Sequence, residues 1–322
     1  MLAMMTALAL LCTAASDTRT VATFTDWSAP VNLGTTLNSA HLESGPAISK
    51  DSLSLYFSSD RPGGFGNPDI WISQRGSTDE AWGPAVNLGP NVNTGFVENV
   101  PSFSRDGHWM FFNSDHPAGL GGPGGLSNLD IWASWRPDPD DDFGWQPAEP
   151  LGADVNSTAF DAGAGFLRIK PRTELLFFGS ERSTGPVLAD IYVTEISRRS
   201  RGHHPQSVAD LSFSTPVLVP ELSSPKNDAR PQIRSDGLEL FLQSNRTGTL
   251  GVNDLWVSTR ASVEHAWSDP VSLGSVVNSP SNDLQPSLSW DRRTLFFASD
   301  RPGGSGNLDL YVITRTKPKN RR

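Results

Sequence analysis

The sequence is 322 residues long and 37% hydrophobic, so the chain can bury a substantial core. Lysine and arginine number 26 against 35 aspartates and glutamates, which gives a net charge of −9. This charge argues against nucleic acid as a partner and against insertion into a membrane, whereas neutral or cationic ligands fit it better.

The N-terminal segment, MLAMMTALALLCTAASDTRT, has an apolar run followed by small residues. This pattern predicts a signal peptide over residues 1–15 and an N-terminal tail over 16–26, and therefore a periplasmic or secreted protein. Lipid attachment at Cys12 is the alternative, but the bulky Leu11 stands where a lipobox has a small residue. Cleavage after Ala15 would remove the only cysteine, so we expect no disulfide.

From residue 27 onward the chain is an internal repeat with a period of about 60 residues. Each copy holds an acidic residue, a short alternating run, an aromatic-rich run such as SLYFSS, a glycine-rich loop, an Asp-Ile-Trp run and a Trp-led VNLG run. These segments predict four short strands separated by turns, and no stretch has the spacing of a capped helix. The Asp of the Asp-Ile-Trp run recurs as Asp69, Asp130, Asp190, Asp254 and Asp309.

Five four-stranded antiparallel sheets can bury their faces by stacking radially, so we predict an all-β fold, a five-bladed β-propeller over residues 27–315. The last copy lacks its fourth strand, and the missing strand appears at residues 27–34 as WSAPVNLG. If this N-terminal strand joins the last blade, the ring closes without an open sheet edge. Residues 316–322 then form a basic C-terminal tail.

The combination of acid-x-x-Pro, SKDSLSLYFSSDRPGGFGNPDIWIS, Trp and VNLG…VN resembles the WD40-like or PD40 repeat of TolB-like propellers. The likeness covers about residues 27–315 and is strongest in the first and fifth copies. The third copy departs most, and the second has His116 in place of the loop arginine. The resemblance implies a propeller fold and export. It also implies a role as a binding platform, since this architecture serves as one in many unrelated settings.

The glycine-rich loop RPGGFGNPD has some features of a phosphate-binding loop. It lacks the third glycine and the Gly-Lys-Ser/Thr motif, and no helix follows it, so we interpret it as the connection between the second and third strands. Its arginine and the Asp of the Asp-Ile-Trp run are interpreted as an internal ion pair or a set of turn-bracing hydrogen bonds. The loop arginines are Arg61, Arg182, Arg246 and Arg301.

An acidic residue begins the first strand of every copy. The first strand of each blade lines the central channel, so these carboxylates are expected at one channel mouth, where their repulsion would favour a metal ion, a cationic peptide or a sugar. Alternatively, each acid braces its own turn, since a motif present in every repeat usually serves the fold. The five acids are Glu43, Glu98, Asp161, Asp228 and Asp283.

A second acidic segment, DPDDDFGWQPAE, follows the second copy. Asp138, Asp140, Asp142 and Glu149 stand at the ligand positions of a calcium-binding loop, so calcium is the one cofactor that the sequence suggests. Phe143 occupies the position where such a loop has glycine, which leaves a solvated acidic turn as the alternative.

The tryptophans fall into two groups. Those that recur are expected to pack between blades, and they are Trp71, Trp132 and Trp256. Those that do not recur could be exposed platforms for sugars or peptides, and they are Trp109, Trp135 and Trp290.

The sequence contains no distinctive set of catalytic residues. We therefore expect an exported, monomeric, non-enzymatic propeller that binds a protein, peptide or glycan at the acidic channel mouth. The alternative is a glycoside hydrolase that uses carboxylates of that mouth, with Glu43 and Glu98 as the acids and Asp161 or Asp283 as the base. A deep pocket with non-equivalent carboxylates and an exposed tryptophan would favour the hydrolase. Five acids with the same turn hydrogen bonds would argue against both the catalytic site and the ligand-binding site at this mouth.

Overall fold

The computed structural model describes residue 24 and residues 26–120, 128–170, 173–182, 188–198 and 205–317. The predicted signal peptide with Cys12, most of the N-terminal tail and residues 318–322 lie outside the described residues, so these features stay predictions. Within the described ranges, no helix is long and apolar enough to cross a membrane.

The predicted five-bladed, all-β propeller is confirmed, and its strands are as follows. Strand β1 (Val31–Asn32) precedes the first blade. Blade one contains β2 (Glu43–Ile48), β3 (Ser54–Ser59), β4 (Asp69–Gln74) and β5 (Val86–Asn87). Blade two contains β6 (Glu98–Phe103), β7 (Trp109–Ser114), β8 (Asp130–Trp135) and β9 (Glu149–Pro150). Blade three contains β10 (Asp161–Lys170), β11 (Thr173–Ser180), β12 (Asp190–Arg198), β13 (Leu211–Phe213) and β14 (Val217–Leu218). Blade four contains β15 (Asp228–Ile233), β16 (Glu239–Ser244), β17 (Asp254–Thr259) and β18 (Val271–Ser272). Blade five contains β19 (Asp283–Leu288), β20 (Thr294–Ser299) and β21 (Asp309–Thr314).

The aromatic-rich runs form the second strand of each blade. Every residue of β3 and β7 is buried, because neighbouring blades cover both faces of each sheet. The only described helix is a short 3-10 turn at Val208–Asp210.

The ring closes through the N-terminal strand, as predicted. Strand β1 pairs antiparallel with β21, with Val31 opposite Val312, and becomes the outermost strand of blade five. Blade one also meets blade five directly, because the Glu43 N–H donates to the Leu308 carbonyl oxygen at 2.8 Å. The sheet edge of the last blade is therefore covered.

The first strand of each blade starts at its acid and lines the channel, and its third residue has a positive φ. These five residues form what we call the channel waist: Gly45, Val100, Gly163, Arg230 and Gln285. A Cβ atom on Gly45 would lie 2.8 Å from the Val100 Cα, and one on Gly163 would lie 3.0 Å from the Arg230 Cα. Adjacent inner strands therefore nearly touch here, and the channel is narrow.

Two faces lie on either side of the waist. The acid face is the end where the inner strands begin, at Glu43 and its four equivalents. The turn face is the end where the inner strands finish, and it is formed by turns such as residues 49–53 and 104–108.

The glycine-rich loops connect the second and third strands, as predicted, and their shape explains the glycines. A Cβ on Gly66 would lie 1.9 Å from the Phe96 carbonyl oxygen in the connection to blade two. The Asp69 carboxylate accepts hydrogen bonds from the N–H groups of Phe65 at 2.6 Å and Gly66 at 2.8 Å. These donors are therefore already bonded within the loop, and the glycine allows close approach of the next blade.

Candidate functional site

The five acids that begin the inner strands are buried beneath the acid face. Glu43 is fully buried, and its carboxylate accepts hydrogen bonds from the Ser39 N–H at 2.7 Å and the Ser59 hydroxyl at 2.9 Å. Arg61 Nη2 lies 2.9 Å from the same carboxylate. All of these partners belong to the turn, strand and loop of one blade.

The same arrangement recurs in three other blades. In each, the acid binds an N–H group of the turn before it and pairs with the loop arginine of its own blade. The pairs are Asp161 with Arg182, Asp228 with Arg246, and Asp283 with Arg301. The loop arginine therefore pairs with the acid of the inner strand and not with the Asp of the Asp-Ile-Trp run, which corrects one of the two predicted arrangements.

This geometry favours the bracing alternative over a ligand-binding ring. The five carboxylates are at most 1% exposed and are bonded within their own blades, so they are not presented to the channel. It also argues against a catalytic pair drawn from them. The residues concerned are Glu43, Glu98, Asp161, Asp228 and Asp283.

Glu98 differs from the other four because blade two has His116 where they have arginine. Its carboxylate is bonded to the Thr94 N–H at 2.7 Å, the Thr94 hydroxyl at 2.5 Å and the Ser114 hydroxyl at 3.1 Å. Without a cationic partner, burial dominates and raises the pKa of Glu98 to about 7.

The raised pKa predicts a pH-dependent stability. A carboxyl whose folded pKa lies above its unfolded value stabilises the fold at low pH, and this contribution is lost as the pH rises through about 7. We expect the wild-type free energy of unfolding to fall by roughly 3 kcal/mol relative to Glu98→Gln between pH 4 and pH 8. The amide can keep the bonds to Thr94 and Ser114. Urea unfolding of both proteins across this range measures the difference, and parallel pH profiles would contradict the prediction.

The arrangement of the side chains predicted to bind calcium gives the calcium prediction no support, and it stays a prediction. Within the described part of the chain, no group of three or more acidic, histidine or cysteine side chains could hold a metal ion. The Asp138 carboxylate accepts the Asp140 N–H at 2.9 Å, and Glu149 belongs to strand β9.

Asp142 instead joins blade two to blade one. Its carboxylate accepts hydrogen bonds from Ser54, from the Tyr56 hydroxyl at 2.8 Å, from Gln74 at 2.8 Å and from Arg136 at 3.0 Å. Burial by itself would raise the pKa of Asp142, but these hydrogen bonds outweigh it and lower the pKa. Asp142 is therefore a permanently ionised link between blades.

A cavity of 450 Å³ opens beside this link on the turn face. We call it the Trp290 pocket, and blades one, two and five all contribute to it. It is lined by Ser49, Lys50, Asp51, Phe103, Ser104, Asp106, Gly107, Arg136, Pro139, Asp140, Asp142 and Trp290. A volume of this size is typical of sites for small ligands.

The carboxylates of the Trp290 pocket have different environments. Asp106 accepts a hydrogen bond from Ser104 at 2.7 Å and pairs with Arg168 at 2.6 Å, and these contacts outweigh burial and lower its pKa. The exposed Asp140 carboxylate has no hydrogen-bond partner among the described residues. The pocket thus combines fixed, ionised carboxylates with a free one.

Aromatic side chains form another part of the wall. Trp290 is half-buried and lines the pocket together with Phe103. Of the three tryptophans proposed as platforms, only Trp290 lines this pocket, while Trp109 is only 7% exposed and packs between blades two and three. Trp135 stacks on His108 with ring centroids 6.4 Å apart. The recurring tryptophans are buried, as predicted.

Sequence reasoning missed the carboxylates Asp51 and Asp106. Both belong to the turns that connect first and second strands, and both accept hydrogen bonds from a serine two residues earlier. They were interpreted only as turn residues. Their position beside Trp290 depends on which blades are neighbours across the channel.

No family model matches the sequence, and no curated protein matches it either. The chain is similar in structure to the α-L-arabinofuranosidase from Lactobacillus brevis, with a TM-score of 0.58 and 14% identity over 89% of this chain and 93% of that chain. It is also similar to the GH43_1 enzyme from Xanthomonas citri complexed with xylotriose, with a TM-score of 0.54 and 14% identity over 88% of this chain and 89% of that chain. A putative TolB from Agrobacterium tumefaciens has a TM-score of 0.45 at 12% identity over 92% of each chain, which is too low to distinguish between families.

These comparisons support a propeller fold, and the likeness of the repeats to the PD40 family stays a prediction. Other solved structures similar to this chain are also named as an α-L-arabinofuranosidase and a glycoside hydrolase. This finding contradicts the expectation of a non-enzymatic binding protein, and the alternative, a carbohydrate-active hydrolase, is taken up below as a proposal. At these identities the likeness shows the fold alone.

Proposed function

We propose that the protein is a carbohydrate-active hydrolase that takes its saccharide into the Trp290 pocket. The observation that carries the proposal is that one pocket combines an aromatic wall with carboxylates in different environments. Glycoside hydrolysis needs carboxyl groups with different roles, and different environments separate those roles.

The aromatic wall suits a sugar. The half-buried Trp290 and Phe103 offer apolar ring surface, while Ser49 and Lys50 offer polar groups at the same cavity. Sugars have one apolar face of C–H groups and a rim of hydroxyls, so a mixed wall of this kind can bind both parts.

The carboxylates suit the reaction. Asp106 stays ionised because Arg168 and Ser104 lower its pKa, so it can stabilise the positive charge that develops on the sugar ring. Asp140 is exposed and unbonded through its carboxylate, so it is the group that can exchange a proton with the leaving oxygen or with the attacking water. The glycosidic C–O bond breaks, the water oxygen forms the new bond to the anomeric carbon, and one proton of this water passes through Asp140 to the leaving oxygen.

The first substrates to test are pentose glycosides. The similar Lactobacillus brevis protein is named an α-L-arabinofuranosidase, and the Xanthomonas citri enzyme is complexed with xylotriose. Aryl α-L-arabinofuranosides, aryl β-xylosides and xylotriose therefore form the initial panel.

We expect hydrolysis of at least one of these substrates, measured by release of the aryl alcohol or of reducing sugar. Asp140→Asn should lower kcat/KM about 100-fold, because the proton exchange is lost. Trp290→Ala should raise KM roughly tenfold with a smaller change in kcat. Asp141→Asn is the matched control, because Asp141 is exposed and adjacent but does not line the pocket, and it should stay within about twofold. An Asp140→Asn protein as active as the wild type, or no turnover across the panel, would refute the proposal.

A further inference from the structure

We propose that the channel waist holds a separate anion site, in which Arg230 and a vacancy left by Gly179 bind a carboxylate group. This site is independent of the Trp290 pocket. It follows from one irregularity in a hydrogen-bond pattern that the other blades keep.

The pattern links each blade to the next through the waist. The N–H group of the third inner-strand residue donates to a side-chain oxygen, which usually comes from the second strand of the preceding blade. Val100 donates to Ser58 at 2.9 Å, Gly163 to Asn113 at 2.8 Å and Gln285 to Gln243 at 3.1 Å. Gly45 faces Ala298 and donates to the Gln285 side chain at 2.7 Å instead.

Blade four breaks this pattern. The residue that should accept from the Arg230 N–H is Gly179, which has no side chain. Within the described ranges, Arg230 is the one waist residue whose N–H donates to no side-chain oxygen. An acceptor position is therefore vacant between blades three and four.

The Arg230 guanidinium lies without a counterion. Its Nε and Nη1 atoms are buried and have no hydrogen-bond partner, and no carboxylate of the described residues pairs with it. Its nearest described ring is Phe160, whose centroid lies 5.7 Å from the Cζ atom on the acid-face side of the waist. Burial lowers the pKa of Arg230 to about 10, which still leaves the group charged at neutral pH.

Burying two unpaired N–H groups of a guanidinium is costly, because these donors leave water without new partners. The backbone adds to this cost, since Arg230 adopts a φ of 56°, where glycine occurs at Gly45 and Gly163. The neighbouring acids cannot serve as counterions, because Asp161 and Asp228 are already paired with Arg182 and Arg246. These two pairs also reduce the repulsion that an incoming anion would meet.

The chemistry of the site points to a carboxylate. A guanidinium presents parallel N–H donors that match the two oxygens of a carboxylate. One of these oxygens could also take the place of the missing side-chain acceptor at Gly179. The source of this group would be either a free small carboxylate or the carboxylate of a sugar acid.

The test is titration calorimetry at constant ionic strength, with acetate, galacturonate, galactose and chloride as probes. We expect the wild type to bind acetate or galacturonate and to bind neither galactose nor chloride at the same concentration. Binding of both carboxylates with similar affinity identifies the carboxylate as sufficient, and preference for galacturonate identifies a sugar acid. Both results support the site.

Two variants and one control assign the binding to the waist. Arg230→Gln removes the charge. Gly179→Ser restores an acceptor like Ser58, and the serine fits because a Cβ at Gly179 would lie no closer than 3.4 Å to its neighbours. Each should weaken carboxylate binding at least tenfold, whereas Lys226→Gln, an exposed change of equal charge on the acid face, should leave it within about twofold.

If Arg230→Gln fails to fold, Gly179→Ser still decides. Absence of binding to the wild type, equal binding of chloride, or full affinity in Gly179→Ser would overturn the proposal.

Discussion

Gly306→Ala is expected to destabilise the protein by roughly 3 kcal/mol, because the new methyl group has no room at the joint between blades five and one. A Cβ on Gly306 would lie 1.8 Å from the His41 carbonyl oxygen and 2.8 Å from the Ser39 carbonyl oxygen. Both are backbone atoms, so a side-chain rotation cannot relieve the clash. The backbone that must move leads directly into Glu43, whose N–H holds blade one to Leu308.

The free energy of unfolding in urea measures this effect. Gly95→Ala is the control, since a Cβ there would meet no atom within 4 Å and its φ is not in the left-handed region. We expect its stability to stay within about 0.5 kcal/mol of the wild type. If Gly306→Ala were as stable as Gly95→Ala, the close contact between these blades would not exist in solution.

Arg301→Gln is expected to cost about 3–5 kcal/mol, because it leaves the fully buried Asp283 without its cationic partner. Arg301 also donates to the Val277 carbonyl oxygen at 2.8 Å and lies over the Tyr311 ring at 5.0 Å, so part of the loss is packing. Blade two naturally has His116 in place of this arginine, and there burial raises the pKa of Glu98.

The double variant Asp283→Asn/Arg301→Gln separates the charge from the packing. Removing both charges should recover a large part of the lost stability, since no buried charge is then left unpaired. Equal losses in the single and double variants would show that packing, rather than the ion pair, dominates at this position.

Much of the fold could be predicted from the sequence because it is repeated. The inner strands begin at Glu43 and its four equivalents, and the third strands begin at Asp69 and its four equivalents, as the alignment of the copies indicates. The role of the N-terminal strand was also predictable, because one copy lacks a strand that appears at the start of the chain. Repetition makes each copy evidence for the others.

The candidate sites were harder to predict for the same reason. Repetition drew attention to the five inner-strand acids, and these are bonded inside their own blades. Two residues that characterise the Trp290 pocket, Trp290 and Asp142, do not repeat, and the pocket combines turns of blades one, two and five, which come together only after the ring has closed. Spacing along the chain suggested a calcium loop, but spacing does not determine where carboxylate oxygens point, and no cluster of three or more ligands forms among the described residues.

The sequence by itself determined the number of blades, the order of their strands and the closure of the ring, because hydrophobic period and turn residues act locally and recur in every copy. Only the tertiary structure decided which charged groups find partners. Arg61 in a loop of blade one pairs with Glu43 of the inner strand of the same blade, and Asp142 of blade two accepts a hydrogen bond from Tyr56 of blade one. The tertiary structure also decided that the Nε and Nη1 atoms of Arg230 are buried without a hydrogen-bond partner. A side chain's partner on the next blade depends on how the blades pack, which no single repeat encodes.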